Sequence, residues 1–213
     1  MPSSHPTACI NRLETLYNER DRGALATLRR GLFDPLDSPE LFQVVGPVID
    51  EDLRRVEAER KVSPWLRERH TDARLIASAL FGHYIQPFVA ARNRPRTDVF
   101  SRYWRGMGAS ARLLRNAIES DGRAGAESLD QRVTALINSH VDDLPNRLRH
   151  LVHLMRSHAV PVDFRQLVSD LVQWSQDPQP VRRRWARTYW QPRPTAQEAD
   201  EDASARSSMA DPP

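Results

Sequence analysis

Leu144-Pro145-Asn146-Arg147-Leu148-Arg149-His150-Leu151-Val152-His153-Leu154-Met155-Arg156 is the stretch whose reading decides the fold. Leu144, Leu148, Leu151, Val152 and Met155 recur at i, i+4, i+7, i+8 and i+11. At 100° per residue these positions share one side of an α-helix. Arg149, His153 and Arg156 fall on a polar face opposite, and Arg147 and His150 form a neighbouring stripe. A helix patterned this way buries its apolar face against other elements, and the rest of the chain offers only helices for that role. No stretch sustains the period-two alternation of a half-buried strand.

Downstream, His158–Val162 reads as a loop. Asp163 and Gln166 then have the spacing of a capping box that opens a helix through Phe164, Leu167, Val168, Leu171 and Trp174. Asp177-Pro178 pairs an N-cap with proline at the first helical position and begins a last helix ending near Trp190. A helix through Val133, Leu136 and Ile137 precedes the opening stretch. Upstream, Ile10, Leu13, Leu16 and Tyr17 mark a first amphipathic segment. Asp21 caps a second through Leu25, Leu28 and Leu32, with Gly31 near its end.

Between these ends the pattern is less regular. Pro35, Pro39 and Pro47 punctuate a poorly defined region that includes Leu41–Val45. Residues 50–61 read as a mixed-charge helix, with Glu51/Arg55 and Glu57/Lys61 at i,i+4. Thr71 is the expected cap of a strongly apolar, centrally buried helix through Leu75, Ile76, Ala79, Leu80 and Tyr84. Ala91–Pro95 reads as a loop, and Val99–Ile118 as a helix broken near Gly106 and Gly108. Gly122 and Gly125 mark a boundary between halves. The expected architecture is all-α: two small helical bundle domains, 1–120 and 121–192, and a disordered acidic tail at 193–213.

The 213 residues carry a formal net charge of +3, which conceals an asymmetry. From Thr195 onward stand Glu198, Asp200, Glu201, Asp202 and Asp211 against Arg206 alone. That leaves 30 basic and 23 acidic residues in 1–194, a net of +7, which suits a polyanionic partner. Lys61 is the only lysine, so genome composition is a competing source of the arginine bias. Cys9 is the only cysteine, which excludes a disulfide framework and a thiolate metal site. No apolar run approaches the roughly 20 residues of a membrane span, and the N-terminus lacks a signal-peptide pattern, so a cytoplasmic protein is expected.

Catalytic patterns are missing: there is no phosphate-binding glycine loop, no H-E-x-x-H and no G-x-S-x-G. No cofactor is implied. His150, His153 and His158 are crowded by Arg147, Arg149 and Arg156 and lack a carboxylate at helical spacing, so no metal site is expected. Asp34/Asp37 and Asp142/Asp143 read as turn and cap residues. Among the tryptophans, Trp174 and Trp185 lie on apolar faces, which leaves Trp190 as the candidate for base stacking.

The segment Val181-Arg182-Arg183-Arg184-Trp185-Ala186-Arg187-Thr188-Tyr189 carries the most chemistry. Val181, Trp185 and Tyr189 share one helical face, Arg183 and Arg187 lie opposite, and Arg182 and Arg184 flank them. Guanidinium groups on a helix anchored this way offer bidentate, permanently charged donors to phosphates. A solvated basic helix near its C-terminus is the competing account. Arg30 likewise points away from the Leu25/Leu28/Leu32 face, whereas Arg29 sits nearer the apolar edge.

Leu148-Arg149-His150-Leu151-Val152, Val160-Pro161-Val162-Asp163-Phe164-Arg165-Gln166-Leu167, Asp170-Leu171-Val172-Gln173-Trp174 and Val181 to Tyr189, in this order, resemble the CasB family. That family is the small subunit of the type I-E CRISPR surveillance complex, Cascade. Asp21 to Gly31 resembles its N-terminal signature. The similarity covers about half the chain. It implies a two-domain helical protein, paired with a second copy beside other Cascade subunits. It also implies basic side chains that contact the guide RNA-bound target DNA strand and the displaced DNA strand, with sequence read by the guide. By position, the contacts implied are Arg29 and Arg30 in the N-terminal motif and Arg69 before the central helix. Arg132 opens the first C-terminal helix, Arg149 lies in the second and Arg182, Arg183 and Arg184 in the last. Phe164 departs from the family's usual Trp and His150 from a basic residue, and residues 33–68 and 91–111 match poorly. A stand-alone helix-turn-helix DNA-binding regulator is the alternative, although its recognition helix would have to expose the Val181/Trp185/Tyr189 face.

Overall fold

The computed structural model describes residues 7–59, 61–90, 106–122 and 125–190, and every regular element among them is an α-helix. The all-α expectation therefore holds. The expected loop at 91–95, the segment 99–105 and the acidic tail lie outside the described residues.

Helix α1 (Thr7–Asn18) buries Ile10, Leu13 and Leu16, the stripe its periodicity predicts. Helix α2 (Arg22–Arg30) starts where the Asp21 carboxylate accepts the Ala24 N–H at 2.9 Å and ends at Gly31. Helix α3 (Pro39–Glu59) corrects the reading of the region around Pro39, Leu41–Val45 and Pro47 as poorly defined. It runs through Pro47 because Leu41, Val45, Ile49, Leu53 and Val56 form one continuous buried stripe. Pro47 and Gln43 are both exposed, so the carbonyl that loses its donor faces water and the break in the ladder is cheap. Glu51 pairs with Arg55 as expected, but Glu57 pairs with Arg67 rather than with Lys61.

Helix α4 (Pro64–Ala90) begins about two turns earlier than expected. Ser63, not Thr71, is the cap: its hydroxyl accepts the Leu66 N–H at 3.2 Å, and Pro64 follows at the first helical position. Thr71 lies inside the helix and donates to the Arg67 carbonyl. The predicted central burial holds, since α4 packs against α1, α2, α3, α7 and α8 and buries Leu75, Ala79, Leu80 and Tyr84.

Helix α5 (Met107–Ser120) follows Gly106 and packs against α6 (Ala126–Ile137), α7 (Leu144–Ser157) and α9 (Pro178–Trp190). Helix α8 (Phe164–Gln176) is capped by Asp163, whose carboxylate accepts the Gln166 N–H at 2.9 Å. The Gln166 side chain does not return the bond; it reaches forward to Asp170 at 2.7 Å, so half of the expected capping box forms. Asp177 caps α9 through the Gln179 N–H at 3.0 Å. Phe81 and Tyr84 of α4 meet Phe164 edge-on, and the Tyr84 hydroxyl donates to the Val160 carbonyl at 3.0 Å. Buried apolar residues from α1 through α9 thus belong to one connected core.

Two buried carboxylates brace this core. Asp52 accepts the Ala8 and Cys9 N–H groups at 2.8 and 3.2 Å, capping α1 from α3, and pairs with Arg74 of α4 at 3.2 Å. Asp170 accepts from Gln166, Arg184 and the Trp185 indole. Each takes several donors, which offsets the cost of holding a carboxylate away from water.

Candidate nucleic-acid interface

An arginine already held by a carboxylate has less to offer a phosphate than one without a partner. Arg55, Arg67, Arg69, Arg74, Arg115, Arg165 and Arg184 all form ion pairs. Arg29, Arg30, Arg132, Arg147, Arg149, Arg156, Arg182, Arg183 and Arg187 form none with a described residue. This division separates arginines that sequence position treats alike.

Arg29 of α2 and Arg149 and Arg156 of α7 all act on the charge of one residue, His83 of α4. Gly82 lets α2 and α4 meet backbone to backbone: a Cβ there would stand 2.5 Å from Leu28 Cβ and 2.8 Å from Arg29 N. That contact sets Arg29 beside His83, the next residue of α4. From α7, Arg156 donates to the His83 carbonyl at 3.2 Å and to His153 Nδ1 at 3.2 Å. The two imidazoles stack with centroids 5.6 Å apart. Arg149, one turn before His153, lies over the ring of Phe33 at 5.3 Å. Burial, and then the positive charges of Arg156, His153, Arg149 and Arg29, hold His83 down at about 4. His83 is thus neutral at pH 7 within a cluster of cations drawn from two helices.

A second basic surface lies across α7. Arg132 of α6 and Arg147 and His150 of α7 line a groove of about 400 Å³ together with Ser128 and Gln131. Arg132 stands in the middle of α6 rather than opening it. Helix α7 thus buries its apolar stripe, reaches α4 through Arg156 and lines the groove beside α6 with Arg147 and His150.

On α9, Val181, Trp185 and Tyr189 are buried and Arg183 and Arg187 exposed, as the spacing predicts. The flanking pair is committed within the fold. Arg182 donates to the Ser139 carbonyl at 2.8 Å and stacks on Trp174 at 5.2 Å. Arg184 reaches Asp170 at 2.5 Å and Gln173 at 3.1 Å. Arg69 lies inside α4, not before it, and pairs with Asp72 at 3.2 Å in a separate groove with Leu36 and Val141.

The three histidines considered as metal ligands go to different surroundings. His153 stacks on His83, His150 lines the α6–α7 groove, and His158 faces Asp121. Among the described residues no three His, Cys, Asp or Glu side chains gather in a way that would hold a metal. Trp190 is 49% exposed, but so is Trp65 at 50%, and Phe33 exceeds both at 80%. Sequence reasoning missed Phe33; the one signal was its position just past Gly31, off the Leu25/Leu28/Leu32 stripe.

Comparison with known proteins bears on this geometry. Residues 24–190 match the family described as CRISPR-associated protein Cse2, and the chain belongs to that family. A Cse2 protein of Thermus thermophilus is 27% identical over 117 residues, which span 50% of this chain and 66% of the relative. The crystal structure of a Cse2-family protein from the same organism superposes with a TM-score of 0.58 at 24% identity, covering 88% of this chain and 98% of that one. A chain of a CRISPR RNA-guided surveillance complex gives 0.60 at 22% identity over 94% and 96%. The fold is shared along nearly the whole length of each.

Proposed function

We propose that this protein is the non-catalytic small subunit of a CRISPR surveillance complex of the Cascade, type I-E kind. In this reading it binds nucleic-acid backbone, steadying the guide RNA–target DNA hybrid and the displaced strand in antiviral defence. The observation that carries the reading is the grouping about His83 of Arg29, Arg149 and Arg156, three arginines without carboxylate partners among the described residues. Family membership and the surveillance-complex chain of the same fold support the assembly. Its partners would be the other Cascade subunits, a second copy of itself, guide RNA and target DNA, in the cytoplasm. No described helix is long and apolar enough to cross a membrane.

Backbone binding needs cations placed at phosphates and no base-reading set, because sequence is delegated to guide pairing. Arg30, Arg132, Arg183 and Arg187 extend the unpaired set, whereas Arg69, Arg182 and Arg184 would contribute only by sharing donors with their present partners. Co-expression with the other subunits and a guide RNA tests the assembly, with co-purification the expected result. Binding of unrelated DNA sequences with equal, strongly salt-dependent affinity is expected. A single tightly preferred sequence would instead support the stand-alone regulator.

A further inference from the structure

We propose that the exposed ring of Phe33, covered on one face by Arg149, is a stacking platform for an unpaired nucleobase. The proposal rests on the nucleic-acid reading above and specifies what that surface takes: a single strand rather than a duplex.

Phe33 lies in the turn between α2 and α3 and is 80% exposed. Leaving a phenylalanine in water forgoes the free energy of burying it, and here the fold draws almost nothing from the ring. Its orientation is nevertheless constrained, because the Arg149 guanidinium sits 5.3 Å from its centroid. One face is thereby taken and the other left open to a planar partner. Arg149 itself has no carboxylate partner among the described residues, and Arg29 and Arg156 act with it on the charge of His83. An open aromatic face beside a guanidinium that no carboxylate holds is the combination that binds single strands: the cation takes a phosphate and the ring takes a base. Bases inside a duplex are stacked already and have no face to give.

A protein partner fits the patch less well. Apolar docking surfaces are contiguous, and Phe33 is bordered by charge. Leu36 and Phe42 are also exposed, at 48% and 45%, but Leu36 lines a different groove with Arg69 and Asp72 and Phe42 lies along α3 against Gly46.

The test uses the full-length protein, a labelled oligo(dT) of about 20 nucleotides and a duplex of the same length, with affinities measured by fluorescence anisotropy at one salt concentration. Phe33→Leu should weaken single-strand binding about five-fold or more while duplex affinity stays within about two-fold. Phe33→Tyr should restore the single-strand affinity, since it keeps the π face. Arg149→Ala should weaken both. Equal loss on both forms, no loss, or failure of Tyr to restore binding would overturn the stacking role and leave backbone binding standing. Binding of neither form by the wild type would overturn both. Loss of complex assembly in Phe33→Leu with intact oligonucleotide binding would overturn the stacking role and assign the ring to a protein contact instead.

Discussion

The imidazole of His83 on α4 stacks on that of His153 on α7, with ring centroids 5.6 Å apart and planes inclined by 26°. The pair joins the N-terminal helices to α7 where Arg29 and Arg149 both act on the charge of His83. Because His83 is held at about 4 against an ordinary value near 6.5, its protonation opposes folding. Between those values the unfolded chain binds the proton and the folded chain does not. Stability therefore falls as pH drops from about 6.5 to about 4 and is independent of this group above that window. The ring is only half-buried, so the effect should be on the order of 1 kcal/mol. His83→Asn should shrink the difference in melting temperature between pH 7 and pH 5; an unchanged difference would dismiss the account.

Arg30→Ala and Arg183→Ala should speed loss of target DNA from the assembled complex while circular dichroism and melting stay at wild-type values. Both side chains are exposed and bond only to their own helix, to Thr27 and to the Gln179 carbonyl. Each lost phosphate contact should reduce the slope of log affinity against log salt by about 0.9 on duplex DNA. Arg69→Ala should have a smaller effect, since its guanidinium already sits on Asp72. Unchanged dissociation would remove the residue concerned from the interface.

Asp52→Ala should destabilise the protein by about 3–5 kcal/mol in denaturant unfolding. The substitution leaves Arg74, 1% exposed, without its counter-charge and uncaps α1 in one step. A loss below about 1 kcal/mol would mean that water reaches Arg74 and solvates it.

Gly82→Ala should cost about 1–3 kcal/mol and also weaken nucleic-acid binding. The added methyl collides with Leu28 and the Arg29 backbone, pushing α2 off α4 and Arg29 away from His83. Gly108→Ala serves as the control. Its methyl would meet the Trp185 carbonyl at 2.3 Å and pry α5 from α9, at similar cost in stability but away from Arg29. Equal loss of affinity in both variants would mean that general destabilisation, not the placement of Arg29, is being measured.

Much of the helical pattern was legible residue by residue. Ile10, Leu13 and Leu16, the Leu144-to-Met155 stripe, and Val181, Trp185 and Tyr189 are buried where periodicity put them. Asp21, Asp163 and Asp177 cap their helices. The errors fell where a local signal lost to a longer one. Pro47 looked like a breaker, but the buried stripe continues on both sides of it. Thr71 looked like a cap, but Ser63-Pro64 starts the helix earlier and Thr71 rides inside it.

By itself, then, the sequence determined the inward face of helices such as α1, α7 and α9 and that Arg183 and Arg187 lie opposite it, because helical geometry is a local consequence of 3.6 residues per turn. Only the tertiary structure decided which arginines are free. Arg183 and Arg184 are adjacent, yet one is exposed on α9 and the other is held by Asp170, on the preceding helix. Arg29 and Arg149 stand far apart in sequence and both act on His83 because α2 and α7 both pack on α4, with Gly82 allowing the close approach of α2. Ion pairing and convergence depend on the distance between helices, and no periodicity encodes that.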